Sequence, residues 1–90
     1  MCGILTTSRR IEGIEHVTEY LHRRGPDLTN HVEVNGIEFV HTLLSITGNP
    51  SPQPFINENR NIVASYNGEI YNYQNFGDFT SDGHCIIPMY

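Results

Sequence analysis

The chain contains no lysine; its five basic residues are all arginine. That excludes a Schiff-base amine and the phosphate-gripping lysine of a Walker loop. Ten acidic residues leave a net charge of -5. No basic stripe exists to neutralise phosphates, so nucleic acid is excluded as a partner. Cysteine is nearly absent: Cys2 and Cys85 lie far apart and make neither a disulfide framework nor a zinc ligand set. Long apolar runs are absent too, so no segment is suited to span a membrane. The N-terminus lacks the basic, hydrophobic, small-residue order of a secretory signal. Glycine stands at position 3 rather than 2, so myristoylation is not indicated. The expected setting is reducing and cytoplasmic, where free thiols survive.

What is there suits one small domain. The 90 residues are 38% apolar, with five tyrosines and four phenylalanines, enough for a modest core. Charged residues make up only 17%. No internal repeat or linker is evident.

"CGILTTS" reads as a first strand, with apolar Ile4 and Leu5 followed by two threonines. "IEGIEHVTEYLHRR" places Ile11, Ile14, Val17 and Leu21 in steps of three and four, which predicts one apolar stripe on a helix over 11–24. Early glutamates and late His22, Arg23 and Arg24 suit the helix dipole, and Gly25-Pro26 stops it. "HVEVNGIEFVHTLLSI" alternates around Asn35-Gly36, which predicts a type I′ hairpin whose second arm runs on through Leu43, Leu44 and Ile46. "TGNPSPQPF" is a proline-rich loop. "NIVASY" predicts a strand entering a turn at Asn67-Gly68. "GEIYNYQNF" is too short to type. In "SDGHCIIPMY", Ser81 is the expected N-cap of a last helix that Pro88 kinks or ends. The five histidines form no metal site: His16 and His22 are six apart and do not share a helix face, and His41 reads as structural.

Four stretches carry chemistry together: "MCGI" at the start, "RGPD" at 24–27, "YNGEIYNY" at 66–73 and "SDG" at 81–83, with "QPF" at 53–55 as a fifth. In this order and spacing they resemble the N-terminal glutaminase domain of class II glutamine amidotransferases. These are Ntn (N-terminal nucleophile) hydrolases, and asparagine synthetases are the nearest type. The resemblance implies an α+β fold, part of an αββα sandwich with antiparallel sheets, with residues 1–90 forming the N-terminal part of such a domain. It implies glutamine as substrate and ammonia release for amide transfer.

Chemistry read from the residues agrees. Cys2 is small enough for methionine removal ahead of it. The new N-terminus would then carry a thiol and an α-amine of pKa about 7.7–8.0, so nucleophile and base share one residue. Its alternative reading is a small buried hydrophobe. By resemblance, Asn67 and Gly68 supply the oxyanion donors, a side-chain amide and a backbone N–H; a plain turn is the alternative. Asp82 corresponds to the family aspartate that holds the substrate α-ammonium. Glu69 is expected to support the same pocket. Arg24 is expected to bond loop carbonyls or face the substrate, or to be a simple helix-terminal cation. Gly3 is expected to let backbone approach substrate closely.

Two features depart from the family. The arginine that follows its histidine and clamps the substrate α-carboxylate is replaced here by Leu43, which offers no hydrogen bonds to a carboxylate. Arg24, and less so Arg60, are the candidates to replace it. The chain is also about half the length of such a domain and lacks the synthetase domain. It is therefore expected to be a fragment or one part of a split protein, with exposed sheet edges. No cofactor is expected in this chain; ATP and magnesium belong to the missing domain, and a separate synthetase domain or subunit is the implied partner. A catalytically silent binding module and an Ntn hydrolase acting on another amide are the competing functions.

Overall fold

The structure is a computed structural model and describes residues 2–45 and 51–90. Three strands, β1 (Gly3–Thr7), β2 (Leu28–Val34) and β3 (Ile37–Leu43), form an antiparallel sheet in the order β1-β3-β2. Helix α1 (Ile14–His22) connects β1 to β2 and packs on the sheet. A second ribbon pairs β4 (Phe55–Ile56) with β5 (Val63–Ala64). Two 3₁₀ turns, Tyr73–Phe76 and Asp82–Cys85, lead into α2 (Ile86–Met89). The fold is α+β with antiparallel sheets. It spans 42 × 29 × 15 Å. A thickness of 15 Å holds about two layers at a spacing of roughly 10 Å, not four.

The hairpin forms where the alternation predicts it. Asn35 (φ 52°) and Gly36 (φ 81°) both take the positive angles of a type I′ turn, which sets the pairing Val34↔Ile37. The arm ends at Leu43, short of the expected continuation through Leu44; Ile46 and the first part of the proline loop, 47–50, lie outside the described residues.

Helix α1 starts three residues later than the periodicity predicts, because Gly13 adopts a left-handed φ of 75°. Its stripe is also rotated. Ile14, Thr18 and Leu21 turn inward, while Val17 remains 36% exposed. Thr18 is tolerated inside because its hydroxyl donates to Ile14 O at 2.9 Å. The Gly25-Pro26 stop works as read: Arg24 and Gly25 N–H groups both close on Leu21 O.

Thr42 joins helix to sheet. It is fully buried, accepts the Gly3 N–H at 3.1 Å and donates to Leu21 O at 2.7 Å. The layers approach so closely that glycine is required on both sides. A Cβ on Gly3 would meet Thr42 Oγ1 at 2.5 Å and Leu21 Cβ at 2.9 Å. A Cβ on Gly25 would run into the Thr42 and Leu43 backbone. The expectation that Gly3 serves substrate approach is thereby corrected: it serves the contact with α1.

Strand β5 is shorter than the predicted 61–66. Its partner strand begins after Pro54, which has no N–H to donate. The ladder is replaced by the buried Gln53, whose Oε1 accepts the Tyr66 N–H at 2.8 Å. Asn57 closes the β4–β5 turn by accepting the Asn61 and Ile62 N–H groups on Oδ1. The turn expected at Asn67-Gly68 is reduced to a bend at Gly68, and neither residue takes the positive φ of a type I′ turn. Ser81 makes no side-chain cap bond. Pro88 neither kinks nor shortens the last helix, because it sits in the first turn of α2, where its missing N–H is not needed.

The buried residues cluster on β3: Val40, His41, Thr42 and Leu43. His41 is 1% exposed; burial pushes its pKa down, against a weaker opposing bond to the Tyr66 backbone. The folded state therefore binds fewer protons than the unfolded chain once pH falls below about 6.5. Stability should be intact above that value and decline as pH falls from it through the folded pKa. Urea midpoints measured across this range check it, and His41→Gln should flatten the slope. Gly25→Ala should cost about 1–3 kcal/mol of overpacking, read as a lower urea midpoint at pH 7.

Candidate functional site

A cleft of about 340 Å³ opens between the end of the three-stranded sheet and the segment 66–71. The pairing Gly3↔Thr42 carries Cys2 to the mouth of the sheet, beside Leu44. The Cys2 thiol is half-buried, with the Leu44 N–H donating to Sγ at 3.4 Å and Leu44 O at 3.9 Å. The Cys2 N–H donates to Asn67 Oδ1 at 3.1 Å. The Cys2 carbonyl accepts from Arg24 Nε at 3.0 Å. Backbone nitrogen, backbone oxygen and sulfur of this residue are therefore all held.

The bond to Asn67 uses the acceptor end of its amide. The donor end, Nδ2, and the neighbouring Gly68 N–H have no partner among the described residues. A Cβ on Gly68 would meet nothing within 4 Å, and its φ is not positive. Neither strain nor crowding within the chain requires glycine there, unlike at Gly3 and Gly25.

Across the cleft, Asp82 is fixed by two backbone donors. Its Oδ2 accepts the Ile70 N–H and its Oδ1 the Gly83 N–H, each at 2.9 Å, and the Tyr66 hydroxyl lies beside it and favours its ionised form. Burial alone would raise its pKa, but these bonds outweigh it and hold the carboxyl below the usual carboxylate range. Burial, and then the Asp82 charge, push the Tyr66 hydroxyl well above its ordinary value. At neutral pH the pair is thus a carboxylate and a neutral phenol. A carboxylate has about four acceptor positions, so the two backbone bonds leave capacity for a ligand. Gly83 allows this packing: a Cβ there would meet the Phe55 and Tyr66 rings at 2.7 Å. Phe55 also stacks edge-on against His84, with ring centroids 5.3 Å apart.

The cleft brings together Cys2, Asn67, Gly68, Glu69 and Asp82. Glu69 is exposed on its rim, with no side-chain partner among the described residues. Arg24 does not line it; of the roles open to it, the structure gives grip on a backbone carbonyl rather than a face toward the cleft. Arg60 lies in the β4–β5 turn, where its own carbonyl accepts from Asn35 Nδ2. Leu43 lines the wall, 7% exposed, with its carbonyl accepting the Asp27 N–H at 2.9 Å.

Sequence reasoning gave no role to four residues that build the site. Tyr66 and Gln53 lie inside the noted stretches "YNGEIYNY" and "QPF", yet their roles are to brace Asp82 and the segment before Asn67. Asp27 closes the "RGPD" motif and accepts the Ser45 N–H on Oδ2 at 2.7 Å, fixing the chain just beyond Leu44. Leu44 acts through its backbone N–H, which no side-chain pattern reveals. Among the described residues no group of three His, Cys, Asp or Glu side chains is placed to hold a metal ion. Among them, too, no helix is long and apolar enough to cross a membrane.

Comparison with known proteins bears on the same residues. Residues 1–85 match the family described as "Glutamine amidotransferase domain". A probable glutamine-hydrolyzing asparagine synthetase of Schizosaccharomyces pombe is 36% identical over 81% of this chain and 14% of its own length. The glutamine-hydrolyzing asparagine synthetase 1 of Saccharomyces cerevisiae is 32% identical over 100% of this chain and 18% of its own length. The amidase chyE of Penicillium rubens is 31% identical over 93% of this chain and 14% of its own length. The chain thus spans less than a fifth of each of these relatives. No solved structure matches it. With 85 of its residues on the family pattern and Cys2, Asn67, Gly68 and Asp82 gathered in one cleft, the chain belongs to the glutamine amidotransferase family.

Proposed function

We propose that this chain carries the nucleophile and oxyanion elements of a glutaminase site that releases ammonia from the glutamine side chain. The observation that carries it is the bond from Cys2 N to Asn67 Oδ1, which joins the nucleophile residue to the oxyanion residue and leaves Asn67 Nδ2 free to donate. After Met1 is removed, the Cys2 nitrogen becomes an α-amine close to its own thiol and accepts the thiol proton. The sulfur attacks the side-chain amide carbon. Negative charge develops on the amide oxygen, where Asn67 Nδ2 and Gly68 N–H are the available donors. The amine returns its proton to the leaving nitrogen, and ammonia departs. Water then cleaves the thioester, giving glutamate and the free thiol. Asp82 holds the substrate α-ammonium, and its two backbone bonds, with the Tyr66 hydroxyl beside it, keep it anionic for that task.

In this reading the helix-on-sheet layer is part of an αββα sandwich of the Ntn-hydrolase kind, and the compartment is cytoplasmic. The hydrolysis needs no cofactor. ATP and magnesium enter only in a separate synthetase domain or subunit that consumes the ammonia; the relatives named as asparagine synthetases are several times longer than this chain.

Glutamate release from glutamine, followed with intact mass of the protein, tests this. The processed chain should turn over and Cys2→Ala should not. Asn67→Ala should lose about a hundred- to thousandfold in kcat, the usual cost of one oxyanion donor. A processed, folded chain that releases no glutamate, or a chain that retains Met1 in its active form, overturns the mechanism.

A further inference from the structure

The charges around the cleft do not suit a free amino acid. Its charged lining residues are Glu69 and Asp82, both acidic. None of the five arginines lines it. Arg24 donates Nε to the Cys2 carbonyl, Arg60 sits in the β4–β5 turn, and Arg23 lies over the Tyr20 ring at 5.2 Å. Arg9 and Arg10 follow β1, beyond the end of the strand opposite to Cys2. The sequence at 46–50, Ile-Thr-Gly-Asn-Pro, adds no cation. The wall beside the nucleophile is Leu43, an apolar side chain whose backbone carbonyl is already bonded. A zwitterionic glutamine would find its ammonium partner at Asp82 but no cation for its carboxylate, in a cleft whose remaining polar lining, such as Ser45, Ser51, Ser81 and Tyr71, is neutral. Neutral donors offset the loss of water from a carboxylate less well than a cation does, and like charges add to the cost.

We propose that the preferred substrate of this cleft is a glutamine whose α-carboxyl is masked as an amide, as at the N-terminus of a peptide. Such a ligand keeps the ammonium for Asp82 and the side-chain amide for Cys2, and presents a neutral group to Leu43. The space agrees. A volume of about 340 Å³ is within the range of sites for ligands larger than one amino acid. Tyr71, on the rim, is 88% exposed, so a following residue has an open exit. The reaction balances as for glutamine: water and the side-chain amide give a side-chain carboxylic acid and ammonia, and the α-amide bond is not cut. The inference rests on the amide-cleaving site proposed above.

Binding separates the two ideas. The Cys2→Ser chain is titrated at pH 7 with L-glutamine, L-glutaminamide and glutaminyl-glycine, followed by NMR shifts; at this pH the α-amines are largely protonated. The two masked compounds should bind at least tenfold tighter than glutamine, and the gap should shrink with salt. Asp82→Asn should weaken them. Leu43→Arg should narrow or reverse the preference; because that substitution is in the core, Tyr71→Arg on the open rim serves as the second variant. In the processed wild-type chain, glutaminamide should yield the α-amide of glutamate, identified by mass and NMR, with kcat/KM at least tenfold above that for glutamine. Glutamine bound or cleaved as well as the masked compounds overturns this inference and leaves the glutaminase reading standing. A masked-ligand preference without cleavage overturns the glutaminase reading alone. Absence of binding by all three overturns both.

Discussion

The hydroxyl of Thr42 holds the arrangement together. It takes the first N–H of β1 and satisfies the carbonyl of Leu21 near the end of α1. One buried side chain thus fixes the start of the chain against both sheet and helix. An unpaired Gly3 N–H or Thr42 hydroxyl at this depth would be costly, so the contact admits little slack. The glycines on either side exist because of it: Gly3 and Gly25 each face a wall that has no room for a Cβ. The functional consequence is positional. Cys2 directly precedes the pinned Gly3, and a residue one step beyond a fixed point has little room to wander.

What holds Gly3 is then extended to Cys2 atom by atom. Leu44 meets the sulfur, Asn67 the nitrogen and Arg24 the oxygen. These partners come from three separate parts of the chain, and each is itself restrained. Leu44 lies between two backbone anchors supplied by Asp27, on Leu43 O and on the Ser45 N–H. Asn67 follows Tyr66, which hangs from Gln53 Oε1. Arg24 stands where the N–H groups of Arg24 and Gly25 close on Leu21 O. The "RGPD" motif is therefore a clamp as well as a helix stop: its arginine holds the Cys2 carbonyl, its glycine permits the close approach, and its aspartate fixes the end of β3.

This explains which parts were legible in the sequence. The β2–β3 hairpin is written in local chemistry, with alternation and an Asn-Gly turn, and it formed as read. Helix α1 was legible in type but not in bounds, because the left-handed φ of Gly13 and the inward turn of Thr18 depend on the sheet beneath. The strand over 61–66 was overread for a related reason. Its residues have strand character, but pairing needs a partner, and Pro54 removes the N–H that would extend it. Cys2, Asn67, Gly68 and Asp82, which the structure gathers in one cleft, stood out in the sequence because their types carry chemistry. Their supports were not: Gln53, Asp27 and Leu44 act by long-range bonds to or from backbone, which neither periodicity nor residue type encodes.

The electrostatics of the cleft follow from the same economy of positive charge. With five arginines and no lysine, the chain has few cations to place, and the one nearest the nucleophile is committed to a backbone oxygen. Moving Arg24 toward a ligand would release the carbonyl of Cys2 and loosen the residue whose position the sheet, the helix and Asn67 all serve to define. Positioning Cys2 and neutralising a carboxylate therefore compete for one guanidinium. The bond at 3.0 Å commits it to the Cys2 carbonyl. The acidic pair that remains, with Asp82 kept ionised by its neighbours, gives the cleft a single sign of charge. Under the proposed function, recognition rests on the ammonium end and the reacting amide, while the other end of the ligand meets no cation.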